Sequence, residues 1–267
     1  MQRANEAGTV DRVIDLLTVI AESEGLLSIQ RLAEALALPR STIHRLLEKL
    51  SVRDLVVHER GLRRYRIGPE FYRLGSLVSR QPITAIALPL LKELSESIGE
   101  ACVLGVLLPH ARRMIFAAKV DTDKPLRYRI DLDKPLALAQ GASGWAILAY
   151  LPPDQIDAVI AEHLRSESLT RQLRQAQQLR KQLERVRADG FAQSHGSRIP
   201  GAVGFAAPVF SAGKKIFGSL CITIPEQRYD PRGCKLIVAG LLRTAAKLSG
   251  IVDTTDTAPV PTRTLAS

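Results

Sequence analysis

The sequence predicts an α+β chain in two domains, and three observations predict it. Two short helices with apolar stripes flank a proline-bearing break within residues 28–50. Two brief strand patterns follow, around a turn at Gly61. From residue 83 to 250, strand and helix patterns then interleave without the regular alternation of an α/β sheet.

The elements follow in order. Val10, Val13, Ile14 and Leu17 recur at helical spacing and predict a first helix over 9–23, ended by Gly25. Ser28 suits the N-cap of a second helix, whose apolar face is Ile29, Leu32, Ala33 and Leu36. Ala37-Leu38-Pro39 breaks it. A third helix follows with Ile43, Leu46, Leu47 and Leu50 on one side. Leu55–Val57 and Tyr65–Ile67 read as the two strands of a hairpin. Gly68-Pro69 opens a connecting helix to about Arg80, since proline suits a first helical position. Another helix spans 83–98. Strands are expected at 101–108, 113–120, 126–131 and 136–139, then a helix from Gly141 through Leu151. Helices at 154–163 and 170–189 precede strands at 191–195, 203–210 and 215–224, and a last helix at 232–250. The resulting divisions are 9–68, a linker helix 69–82, a second domain 83–250, and a Thr/Pro/Ala-rich tail 251–267 expected to be disordered.

Charge gives the first functional pointer. The net charge is +10, and a basic chain attracts phosphates. Its distribution says more. Residues 1–38 hold three basic and six acidic side chains, whereas 39–66 hold eight basic and three acidic. The sign reverses at the third helix. Without its apolar stripe, that helix exposes Arg40, Ser41, Thr42, His44, Arg45 and Lys49. Such a set combines phosphate donors with side chains that reach base edges. Helix-turn-helix proteins place the first residues of the second helix in the major groove. In the hairpin, alternation puts Tyr65 and Ile67 on one face and Arg64 and Arg66 on the other, with Arg60 and Arg63 at the turn. The arginines are then expected to be free for the sugar-phosphate backbone, as a wing beside the recognition helix.

The run from Ser28 to Leu47, and Tyr65-Arg66-Ile67-Gly68-Pro69, resemble the IclR family of bacterial regulators. The resemblance implies a winged helix-turn-helix, a linker helix and a GAF-like effector domain whose antiparallel sheet is flanked by helices. It also implies a homodimer or tetramer on double-stranded operator DNA, with a small molecule tuning affinity. It continues through Gly141–Ala149, Gly190–Ser194, Gly201 with Ala206–Val209, and Leu220–Pro225. Carried over by position from these segments, the effector site comprises Gly141, Ala142, Ser143, Ser194, Cys221 and Thr223. The DNA site read from the helices and the basic hairpin includes Ser28, Arg63 and Arg64 beside the third helix. Many members carry acids where this chain has Ser194 and Ser197, so this loop, with His195 and Arg198, is neutral to basic. A small-residue turn opening a helix offers backbone N–H groups to an anion. Together these make a small organic or aromatic acid the expected effector.

Other classes find little support. No Gly-x-Ser-x-Gly elbow, Walker loop or dinucleotide fingerprint occurs, so neither catalysis nor a cofactor is expected. The five histidines and three cysteines lack metal-ligand spacing. Cys102, Cys221 and Cys234 are scattered, which fits a reducing cytoplasm and leaves Cys221 as a small buried hydrophobe rather than a redox sensor. Neither a membrane span of about 18 apolar residues nor a signal-peptide run at Met1–Val10 is present. Helix 170–187 carries six basic residues against Glu184, read as a solvated face over an inward stripe of Leu173, Ala176, Leu183 and Val186. Repression and activation are both open.

Overall fold

The computed structural model describes residues 8–23, 25–59, 61–78 and 83–256. They form two compact units, divided between Arg80 and Gln81.

The N-terminal unit opens with α1, Thr9–Glu22, followed by α2, Ile29–Leu36, and α3, Arg40–Ser51. Strands β1, Val56–Glu59, and β2, Arg64–Ile67, make an antiparallel hairpin, and α4, Glu70–Val78, follows. Arg60 and residues 79–82 lie outside the described residues. Ser28 caps α2 by accepting the Arg31 N–H at 3.3 Å. Ala37 ends α2 in the left-handed region, with φ 52°. The core gathers Leu16, Ile20, Leu32, Ile43, Leu46, Leu47, Leu50, Val56 and Tyr65. One expectation fails here. Helix α1 buries Leu16 and Ile20, while Val10 and Ile14 stay 70% and 56% exposed. The buried stripe is therefore Val13, Leu16, Leu17 and Ile20, turned from the one expected.

The C-terminal unit is one six-stranded antiparallel sheet with helices on both faces. In chain order it has α5, Ile83–Ile98, β3, Ala101–Leu108, β4, Arg113–Val120, and β5, Leu136–Ala137. Next come α6, Gly141–Leu148, α7, Pro153–His163, and α8, Leu169–Asp189, ended by Gly190 in the left-handed region. Strands β6, Ala192–His195, β7, Ala202–Ser211, and β8, Lys215–Pro225, precede α9, Cys234–Asp256. The spatial order is β5-β4-β3-β8-β7-β6. Strand alternation splits the interior in two. Val103, Ala206 and Cys221 face α6, α7 and α8, whereas Leu104, Phe205 and Ile222 face α5 and α9. A bulge opposite Leu104 and Gly105 breaks the period of two in β4, so Phe116 and Ala118 join opposite cores.

The strand expected at 126–131 is absent. Pro125 and Pro135 flank the segment and lack the N–H a ladder needs. Asp131 is bound locally by Arg129 and Lys134, and only Ile130 is buried in the core. The helix from Gly141 stops at Leu148 rather than Leu151. Helix α9 continues into the expected tail as far as Asp256, and 257–267 lie outside the described residues. On α8, Leu183 and Val186 are buried as expected, but Leu173 is exposed.

Candidate nucleic-acid interface and ligand cavity

The apolar stripe of α3 points into the core, which leaves its other side to solvent. Arg40, Ser41, His44, Arg45 and Lys49 are exposed and Thr42 is half-buried, all on this one helix. His44 Nδ1 lies 3.5 Å from Glu48 Oε1, a neighbour that the sequence reading passed over. Ser28 is half-buried, and its oxygen is already the α2 cap. On the hairpin, Arg63 occupies a left-handed turn position with φ 49°, and Arg63 and Arg64 are exposed. Tyr65 turns inward and stacks on His58 with ring centroids 4.5 Å apart. Arg66 does not stay free. It donates to Glu59 across the hairpin at 2.9 Å and to its own neighbour's carbonyl at Ile67.

In the other unit, Ser194 pairs with Gly204, and Gly204 with Thr223, in one row across β6, β7 and β8. Gly204 leaves a gap in that row. Above it stands the start of α6: a Cβ added at Gly204 would lie 3.1 Å from Ser194 Oγ and 3.5 Å from Ala142 Cβ, and Gly144 in turn lets α6 pack on the Leu138 carbonyl, 2.4 Å from where its own Cβ would sit. The result is a cavity lined by Gly141, Ala142, Ser143, Ser194, Cys221 and Thr223, the six positions carried over in the sequence reading. Phe116, Ile130, Ser197, Arg198 and Ile199 also line it, and none of these was named as a site residue. Phe116 and Ile130 arrive by way of the bulge and the strandless loop, features that no local spacing reveals.

The start of α6 is not free for an anion as expected. The Gly141 N–H donates to Ser197 Oγ at 3.1 Å, and the Ala142 N–H donates to Ser194 Oγ at 3.0 Å. Both serines therefore point toward the helix and serve as its caps. Charge comes instead from Arg198. Its Nη2 donates to the carbonyls of Ala137, at 2.7 Å, and Gln140. Its Nε is buried without a hydrogen-bond partner. Among the described residues no carboxylate pairs with it. Burial pulls its pKa below the ordinary value, with Cys221 acting the other way. Gly141 has φ +71°, and an added Cβ would meet Arg198 Cβ at 3.1 Å, so the arginine lies across this glycine. The free volume left is about 40 Å³, room for about three waters.

Cys221 is 4% exposed. Burial pushes its thiol up, against hydrogen bonding to Ser143 and Thr223 and the Arg198 charge. That is the setting of an unreactive thiol. On α8, Arg171, Arg180 and Arg187 are held by Glu167, Asp157 and the Ala149 carbonyl. Among the described residues, no group of three His, Cys, Asp or Glu could hold a metal, and no helix is long and apolar enough to cross a membrane.

The geometry has counterparts in known proteins. Residues 9–60 match the IclR helix-turn-helix domain, and 75–250 match the bacterial transcriptional regulator IclR C-terminal domain. The chain is 28% identical over 242 residues to the HTH-type transcriptional regulator BhcR of Paracoccus denitrificans, covering 90% of this chain and 85% of that one. A crystal structure of an IclR regulator from Silicibacter sp. TM1040 superposes with a TM-score of 0.79 at 26% identity, over 92% of this chain and 96% of that one. An IclR homologue from Microbacterium hydrocarbonoxydans, crystallised with 4-hydroxybenzoate, shares the fold with a TM-score of 0.72 at 19% identity, over 92% of this chain and 99% of its own. With two domain matches that span most of its length, the chain belongs to the IclR family of bacterial DNA-binding transcriptional regulators.

Proposed function

We propose that this regulator binds a palindromic operator in the cytoplasm as a homodimer or tetramer, and that a small organic or aromatic acid sets its affinity. Residues 9–68 are the DNA-binding part, 69–82 the linker, and 83–250 the effector-binding and dimerising part. Arg40, Ser41, Thr42, His44, Arg45 and Lys49 of α3 meet the major groove, with Ser28, Arg63 and Arg64 on the phosphates.

One observation carries the acid: the Arg198 guanidinium in the cavity, with no carboxylate among the described residues beside it. A half-buried cation with a buried, unpaired Nε and no counterion favours an anionic ligand. The 4-hydroxybenzoate held by the Microbacterium homologue is of this class. Acid binding shifts the population between states that differ in operator affinity. Footprinting on the DNA upstream of the regulator's own gene is expected to show repeated half-sites on the order of 34 Å apart or a multiple. Gel shifts with a panel of carboxylates and their amides then read the effector. Equal response to acids and amides, or a footprint without repeats, overturns the reading.

A further inference from the structure

We propose that Arg198 is both the receptor for the effector's carboxylate and a latch that the carboxylate opens. The inference rests on the acid reading of the cavity and adds the residue that reads the acid and the way binding is reported.

The argument starts from the geometry of a guanidinium. It offers five N–H groups in a planar fork. A carboxylate can take two of them in parallel, either from Nε and Nη2 or from Nη1 and Nη2. Both forks use an Nη2 hydrogen. In this structure the two Nη2 hydrogens serve the carbonyls of Ala137 and Gln140. Nε, by contrast, is buried and unpaired. A carboxylate that takes both partners of either fork must therefore displace one of the two carbonyls.

Those carbonyls belong to a short and critical segment. Ala137 ends the two-residue edge strand β5, and Gln140 is the N-cap of α6, with no side-chain bond of its own. Arg198 thus ties the loop between β6 and β7 to the edge of the sheet and to the head of the helix that roofs the cavity. The same side chain occupies the space a ligand needs. The free volume of about 40 Å³ holds no more than a few waters while Arg198 lies across Gly141. Entry of an acid larger than that requires the arginine to move. The movement also frees a carbonyl, so the β5–α6 segment loosens as the ligand binds. Ser194 and Ser197 still cap α6, so the helix start survives the release.

The test uses the full chain and calorimetric titration with acetate, benzoate and 4-hydroxybenzoate, each beside its amide. For the wild type, at least one acid is expected to bind about ten-fold or more tightly than its amide, as befits a charge-assisted pair. Arg198→Met should erase that preference, while Arg198→Lys, which keeps the charge but loses the fork, should retain part of it. Hydrogen exchange across residues 136–141 reads the latch. Ligand-free Arg198→Met is expected to exchange several-fold faster there than ligand-free wild type, and the bound acid should speed the wild type likewise. Circular dichroism checks folding, and Arg198→Gln replaces Met if that variant unfolds. No acid preferred over its amide by the wild type would overturn the acid reading and the receptor with it. A preference that survives Arg198→Met or Gln overturns the receptor alone. Exchange unchanged by both substitution and ligand overturns the latch.

Discussion

Leu27 and Tyr65 exchange both backbone hydrogen bonds, at 3.0 and 2.8 Å, although they lie on either side of the whole helix-turn-helix. The pair adds a single bridge to the hairpin's second strand, directly before the Ser28 cap. The wing and the start of α2 are thereby joined at the backbone. Leu27→Pro removes one donor and leaves the Tyr65 carbonyl unpaired. The expected cost is about 1–3 kcal/mol of stability in the N-terminal unit, read by urea unfolding. Leu27→Pro as stable as Leu27→Ala would show that the bridge is dispensable.

Arg45 and Arg64 should behave differently on DNA. Arg45→Ala is expected to cost about 1–3 kcal/mol on the operator and little on random sequence, if it pairs with a base. Arg64→Ala should weaken both alike and lower the salt slope by about 1. Fluorescence anisotropy over a range of salt concentrations measures both. Identical behaviour of the two variants would refute the division between base reading and phosphate contact.

Ala37 holds a left-handed conformation, φ 52°, that disfavours a side chain. Ala37→Gly is expected to stabilise the N-terminal unit by about 1 kcal/mol, since glycine adopts this region freely. Thermal unfolding checks it. Glycine is also freer in the unfolded chain, which trims the gain. A lowered melting temperature would show that the turn does not strain Ala37.

Glu100 is an acid sunk into the C-terminal unit, its side chain 6% exposed. Burial raises its pKa, but hydrogen bonds from Arg228 and Lys124 and their charges prevail, so the net direction is down from 4.5. A depressed folded-state pKa means stability that is present above the unfolded value and lost as pH falls through the folded one. The contribution should therefore fade below about pH 4.5. Glu100→Gln is expected to cost about 1–3 kcal/mol at pH 7 and to flatten the acid limb of the unfolding curve. An unchanged pH profile would remove Glu100 from the account.

The helix-turn-helix is legible because its core positions repeat at helical spacing and its breaks are chemically marked by Ser28 and Pro39. Helix α1 shows where spacing runs out. Val10, Val13, Ile14 and Leu17 form one acceptable stripe, and Val13, Leu16, Leu17 and Ile20 form another. Only packing against α2 and the hairpin strand β2 selects the second. Arg66 illustrates the same limit: alternation gives its face, but the Glu59 partner comes from the pairing of the two strands. The six cavity positions came from a family resemblance and not from spacing. Arg198 is hidden in the sequence because its partners, Ala137 and Gln140, are backbone carbonyls about sixty residues away.

The two interiors of the C-terminal unit share a wall one strand thick. Cys221 faces the ligand cavity, and the next residue, Ile222, is wholly enclosed between the sheet, α5 and α9. A strand cannot shift one of these residues and leave the other in place. On the proposed reading of the cavity, crowding at Cys221 would be handed across a single peptide bond to the packed interior on the other face of the sheet. News of occupancy can therefore cross the sheet by covalent adjacency, and a close-packed far side, which resists gradual deformation, is suited to receive it as a discrete step.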